Sequence, residues 1–187
     1  MSVWRQRLVK SLYQTRSTPE SRYFQLATQS PDGSLHNRTV VCRGLDENRD
    51  ALWLITDTRS QKWQDLHHNP HAAVCWYIAK TREQYRFSVR CALLTMESDE
   101  TVCKQHWERL SELARAQFLW GKPGELRAHP EQALVAEQTA TDKPPSQFGV
   151  VRLDISNVDY LSLKGNPQTR ERYRLDGEQW QLETIIP

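Results

Sequence analysis

Leu35-His36-Asn37-Arg38-Thr39-Val40-Val41-Cys42-Arg43 is the stretch on which the fold turns. Its end is β-branched and apolar, and Tyr23-Phe24-Gln25-Leu26-Ala27-Thr28 upstream has the same strand-like composition. Between them Ser30-Pro31-Asp32-Gly33 supplies turn-forming residues, so the two runs are predicted to form a hairpin. Side chains alternate across a strand, so Arg38, Val40 and Cys42 share one face and Thr39, Val41 and Arg43 the other. A cation at Arg38, inside a strand otherwise built for burial, asks for an anionic partner.

Working outward, further strands are predicted over residues 51–56, 72–78, 85–95, 150–155 and 160–163. Residues 172–175 and 180–186, joined by Asp176-Gly177, read as a closing hairpin. Helical spacing of Trp4, Leu8, Leu12 and Tyr13 predicts an amphipathic helix over residues 3–16. Ser60 is placed to cap a second helix running to His68, and Val102, His106, Leu110, Leu113 and Phe118 predict a third over residues 99–120. Pro123, Gly124, Pro130, Pro144 and Pro145 mark residues 121–147 as a long loop with one helix near 130–139. Many antiparallel strands with few helices indicate an α+β fold around a barrel or strongly curled sheet. At 187 residues one domain is expected. Its parts would be an N-terminal helix in 1–18, a helical and loop insertion at 99–147, and C-terminal strands in 148–187.

Composition narrows the function. Lys and Arg number 25 against 23 Asp and Glu, a net charge of +2, so no global field draws the chain to nucleic acid or an anionic membrane. No run approaches the roughly 20 apolar residues of a membrane span, and the start MSVWRQRLVKSLYQTR has no apolar signal core. A cytoplasmic protein is expected. Cys42, Cys75, Cys91 and Cys103 lack C-x-x-C spacing and read as reduced, mostly buried hydrophobes. His67 and His71 are four apart, but Asn69-Pro70 between them ends the helix, so no metal site is expected.

Ser60 and Lys62 open a helix, offering a hydroxyl, free backbone N–H groups and a cation, a combination suited to phosphate. R-x-V-V-x-R at Arg38–Arg43, an apolar residue plus Thr at Ile55-Thr56, and S-x-K at Ser60-Gln61-Lys62 leading to Asn69-Pro70 together resemble the FMN-binding signature of the pyridoxamine 5′-phosphate oxidase family. The likeness continues through residues 69–89 and in the C-terminal run from Arg170 to Trp180 and Ile185-Ile186-Pro187. It covers roughly residues 20–95 and 148–187.

The resemblance implies an antiparallel FMN-binding split β-barrel with peripheral helices, FMN as cofactor, and a homodimer holding FMN at its interface. Carried over by position, the cofactor site comprises Arg38, Thr39, Val40, Val41, Cys42, Arg43, Ile55, Thr56, Ser60, Gln61, Lys62, Gln84 and Arg170. Tyr160 falls at the place of a flavin-contacting Trp, and Trp120 lies where the family's chain nears the partner's flavin. Gln61 stands where a second phosphate-binding Arg is common. Asn166 and Gln168 replace the Arg-x-His that grips the family's substrate, which speaks against vitamin B6 phosphate. The implied activity is an oxidoreductase moving hydride from an unidentified small molecule to flavin N5. Alternatives are a non-catalytic FMN sensor or structural protein, the true pyridoxamine 5′-phosphate oxidase, a haem or deazaflavin binder on the same fold, and a module for single-stranded nucleic acid.

Overall fold

In the computed structural model, residues 2–134 and 142–187 are described. The first hairpin is β1 (Tyr23–Gln29) and β2 (Leu35–Val41), with Leu26 opposite Arg38 and Phe24 opposite Val40. Phe24 and Leu26 are fully buried, so the face carrying Arg38, Val40 and Cys42 is the inner one, as alternation requires. Next come β3 (Gly44–Leu45), β4 (Ala51–Asp57), β5 (His71–Ile78), β6 (Glu83–Leu94), β7 (Phe148–Ser162), β8 (Thr169–Asp176) and β9 (Gln179–Ile185). All belong to one antiparallel sheet in the order β2-β1-β5-β6-β7-β4-β3, with β8 and β9 continuing from the outer half of β7.

This sheet curls without closing into a continuous ladder. The Cys42 amide still extends the β1–β2 pairing, donating to the Arg22 carbonyl at 2.8 Å, and the chain then crosses to the opposite edge, where the Arg43 amide donates to the Trp53 carbonyl at 2.7 Å. Strand β7 does the work of the two strands predicted at 150–155 and 160–163: its first half pairs with β4 and its second with β8, while β6 lies along both. Between Ser88↔Asn157 and Val89↔Ile155 the register slips, leaving Ser156 as an extra, exposed residue. Such a bulge bends a strand without ending it.

Helix α1 (Val3–Gln14) covers the sheet with Trp4 and Leu8, both fully buried. Its Arg5 bonds the Arg49 carbonyl and Asp50, and Arg7 bonds Glu171 of β8, which fixes the helix across two parts of the sheet. Helix α2 (Gln61–His68) ends before His71 opens β5, so the two histidines lie on different elements. The single helix predicted over 99–120 is divided. Helix α3 (Glu100–Glu108) is capped by Asp99, α4 (Glu112–Ala116) by Ser111, and a 3-10 turn (Gln117–Leu119) follows. Ser111 accepts from the Ala114 amide, so the chain restarts there instead of continuing. A second core cluster forms beneath these helices, where Trp107, Phe118 and Phe148 meet edge to face. Residues 130–134 are turn and irregular backbone; the rest of the helix predicted near 130–139 lies outside the described residues.

Candidate cofactor site

The predicted residues fall into three groups. In the first, Arg38 reaches from β2 to α2. Its guanidinium donates to Thr28 Oγ1 at 2.6 Å, the Leu26 carbonyl at 3.2 Å and Asp65 Oδ2 at 3.4 Å. Asp65 is fully buried and also accepts from Thr28, Gln61 and, at 3.1 Å, the His36 ring. Burial alone would raise its carboxyl, but the bonds from Gln61, Thr28 and His36 together hold it below the ordinary 3.8. The anion demanded by Arg38 thus exists within the chain. Sequence reasoning missed it, although Asp65 stands four residues after Gln61, on the same face of α2.

Among the described residues Lys62 has no such partner. Its ammonium donates to Thr56 Oγ1 at 3.0 Å and Ser60 Oγ at 3.4 Å, both neutral hydroxyls. Burial, then the nearby Arg38 charge, lower its pKa, with Asp57 opposing. Ser60 occupies the N-cap position of α2 but makes no capping bond there; its buried hydroxyl faces Thr56 at 3.2 Å instead. A half-buried cation surrounded by hydroxyls, with a second cation close by, is a place where an anion would be stabilised.

The second group adjoins the first through Thr56. Arg43, Ile55, Thr56 and Trp120 line a cavity of about 300 Å³ together with Asp57, Gln117 and Phe118. Arg59 bonds both Asp57 and the Trp120 carbonyl, which ties the loop after α4 to the end of β4. Within the Arg38–Arg43 strand, Thr39 lies on the open outer face opposite Gln25, Val40 packs on the core, Val41 is half-buried, and Cys42 is buried with its thiol pushed up to about 11 by burial.

The third group lies on the outer face of β6, β7 and β8. Gln84 is opposite Leu161, and Leu161 is opposite Arg170, so these three form one row; Tyr77 of β5 extends it. Arg170 is held by Asp159 through bonds of 3.1 and 2.9 Å. Tyr160, expected to join this group, points the other way: it is buried in the core, its hydroxyl donates to Glu83 at 2.8 Å, and Arg7 lies over its ring at 4.7 Å. Leu161, one position later, occupies the row. Adjacent strand residues face opposite sides, so the one-residue difference changes the face completely.

A family model described as "Pyridoxamine 5'-phosphate oxidase, FMN-binding domain" matches residues 1–95. The pyridoxine/pyridoxamine 5'-phosphate oxidase 2 of Arabidopsis thaliana is 32% identical over 170 residues, spanning 89% of this chain and 86% of that protein. Among solved structures, a pyridoxamine 5'-phosphate oxidase-related, FMN-binding protein from Nostoc punctiforme superposes with a TM-score of 0.89 at 35% identity, covering 100% of this chain and 99% of the other. PhzG from Burkholderia lata shares the fold with a TM-score of 0.79 at 20% identity, covering 98% and 91%. With half of its length matched by the family model and a relative alike over nearly the whole chain, this protein belongs to the pyridoxamine 5'-phosphate oxidase family of FMN-binding proteins.

Proposed function

We propose that the chain is an FMN-dependent oxidoreductase acting on a small molecule other than pyridoxamine 5′-phosphate, and that FMN lies between two copies of it. The observation that carries this reading is the Lys62 ammonium: half-buried, bonded among the described residues only to hydroxyls, and next to Arg38, it fits a phosphate monoester. Bound FMN supplies two-electron redox chemistry at its ring. The chain's own contribution is placement and charge. Lys62 and Arg38 neutralise the phosphate, the Ser60 and Thr56 hydroxyls orient it, and Arg43 and Trp120 bound the space beside it. Gln84 and Arg170, from a partner copy, donate hydrogen bonds to the ring, and the positive charge of Arg170 stabilises negative charge that develops there on reduction.

Asn166 and Gln168 sit on the exposed turn between β7 and β8, just before Arg170. Neither is a cation, and each charge-assisted bond missing toward a phosphate-bearing substrate is worth about 1.5–3 kcal/mol. Pyridoxamine 5′-phosphate and pyridoxine 5′-phosphate are therefore expected to be turned over poorly. Hydrogen peroxide release with either compound tests this, and turnover near about 10 per second would contradict it. Denaturing the purified protein and weighing the released cofactor tests the FMN reading itself. Screening reductants for bleaching of the reconstituted flavin then narrows the substrate.

A further inference from the structure

Behind the outer row of Tyr77, Gln84, Leu161 and Arg170 runs an inner row, displaced by one residue: Tyr85 of β6, Tyr160 of β7 and Glu171 of β8. Its members are buried, Tyr85 fully, and Tyr173, two residues along β8, is buried with them. A carboxylate in such a wall requires a cation and further hydrogen bonds, and α1 brings the cation. Arg7 grips Glu171 with two nitrogens, one of them 3.0 Å from Oε1, and Tyr173 donates to the same carboxylate. The Arg7 guanidinium also lies over the Tyr160 ring, whose hydroxyl donates to Glu83; Ser11, one turn along α1, donates to the other oxygen of Glu83. Burial opposes the Arg7 charge, but the bond to Glu171 and the groups around it hold its pKa above the ordinary value.

Glu171 and Glu83 are the chain neighbours of Arg170 and Gln84, turned to the opposite face. The hairpin of β8 and β9 has little else to fix it. Tyr173 and Trp180 reach the core, whereas Leu175 and Leu182 are exposed. With so little apolar burial, the seating of β8 depends on the carboxylate beneath it, and a strand that shifts there carries the side chains of its other face with it.

We propose that Arg7 is a positioning residue of the cofactor site: by clamping Glu171 and bracing Tyr160 against Glu83, it fixes from behind the sheet the side chains that β6 and β8 offer to the flavin ring, Gln84 and Arg170. This rests on the FMN reading above. What it adds is that the charge facing the ring is set from α1, across the sheet from it.

The midpoint potential of bound FMN, measured by dye equilibration, tests the role. Arg7→Met should weaken the preference for reduced over oxidised flavin about tenfold, a shift of about 30 mV to more negative potential for a two-electron couple. Affinity for oxidised FMN should be largely kept, because the Lys62 cluster is untouched. Arg7→Lys, which retains the charge, should recover most of the shift. Arg5→Met controls for a merely structural role. Arg5 anchors the same helix on the Arg49 carbonyl and on Asp50, where Trp180 also bonds, at the far end of the hairpin from Arg170; its loss should lower the thermal midpoint and leave the potential in place. Should Arg7→Met fail to fold, Glu171→Gln carries the same expectation. An unchanged potential in the Arg7 and Glu171 variants, or an equal shift in Arg5→Met, overturns the proposal. If the protein takes up no FMN, the cofactor reading fails alone, and the Arg170 Nε–H resonance of the cofactor-free protein decides the clamp. That group donates to Asp159, so its signal should move or broaden in Arg7→Met and stay fixed in Arg5→Met; no change in Arg7→Met overturns the clamp.

Discussion

Lys62 and Arg38 looked alike in the sequence as cations for one phosphate, but the structure gives them different tasks. Arg38 shares its charge between the site and Asp65, whereas Lys62, among the described residues, bonds only hydroxyls. Lys62→Met should therefore weaken FMN by about 10- to 150-fold, the loss of about 1.5–3 kcal/mol, yet leave the stability of the cofactor-free protein equal or higher. Riboflavin, which lacks the phosphate, should bind the variant and the wild type equally in a fluorescence titration. Arg38→Ala should weaken FMN in the same range and destabilise the fold as well, because it uncovers a buried carboxylate. Asp65 also sets a pH dependence. Its folded pKa lies below 3.8, so its contribution to stability is complete above that value and is lost as pH falls through the folded one. Urea midpoints followed from about pH 6 to about pH 2 should fall more steeply in the wild type than in Asp65→Asn; parallel curves would refute this role. What hid Asp65 from sequence reasoning was its ordinary look as a polar helix residue. What misplaced the aromatic contact at Tyr160 was a one-residue register, which only a strand's neighbours define.

Among the elements, α2 depends on a glycine that no motif marks. Gly149 of β7 is opposite Thr56 of β4, and a Cβ there would lie 2.4 Å from the Trp63 ring and 2.9 Å from the Thr58 methyl. Its bare backbone lets Trp63 rest against the sheet, and so lets Ser60 and Lys62 come down onto Thr56. Gly149→Ala should destabilise by about 1–3 kcal/mol through overpacking and weaken FMN, although it touches no phosphate ligand. Thermal denaturation with and without FMN would measure both, and an unaltered midpoint would contradict the packing argument. The hairpin of β1 and β2 and the closing hairpin were legible because turn residues separate alternating runs. The continuity of β7 was not, since polar Ser156 and Asn157 mimic a break that is in fact a bulge. The division of α3 from α4 was masked in the same way, because Ser111 fits the helical pattern until its side chain turns to cap the second helix.

Over the whole molecule, the cofactor residues are spread over two regions. The cavity containing Arg43, Ile55, Thr56 and Trp120 does not include Gln84 or Arg170, which stand on the outer sheet face. That face is broad and open: Tyr77 is 45% exposed on it, and a shallow depression of about 520 Å³ there is lined by Ala73, Cys75, Arg86, Asn157 and Arg172. A second copy docked on this face would cover it, and the separation of Gln84 and Arg170 from the Lys62 cluster within one copy is the reason for proposing a two-fold dimer in which the two regions meet. Among the described residues no helix is long and apolar enough to cross a membrane. Sedimentation velocity of the FMN-loaded protein at micromolar concentration, followed at the flavin's visible absorbance, tests the central claim most directly. The account predicts that flavin sediments at twice the mass of the chain; flavin sedimenting with a single chain would contradict it.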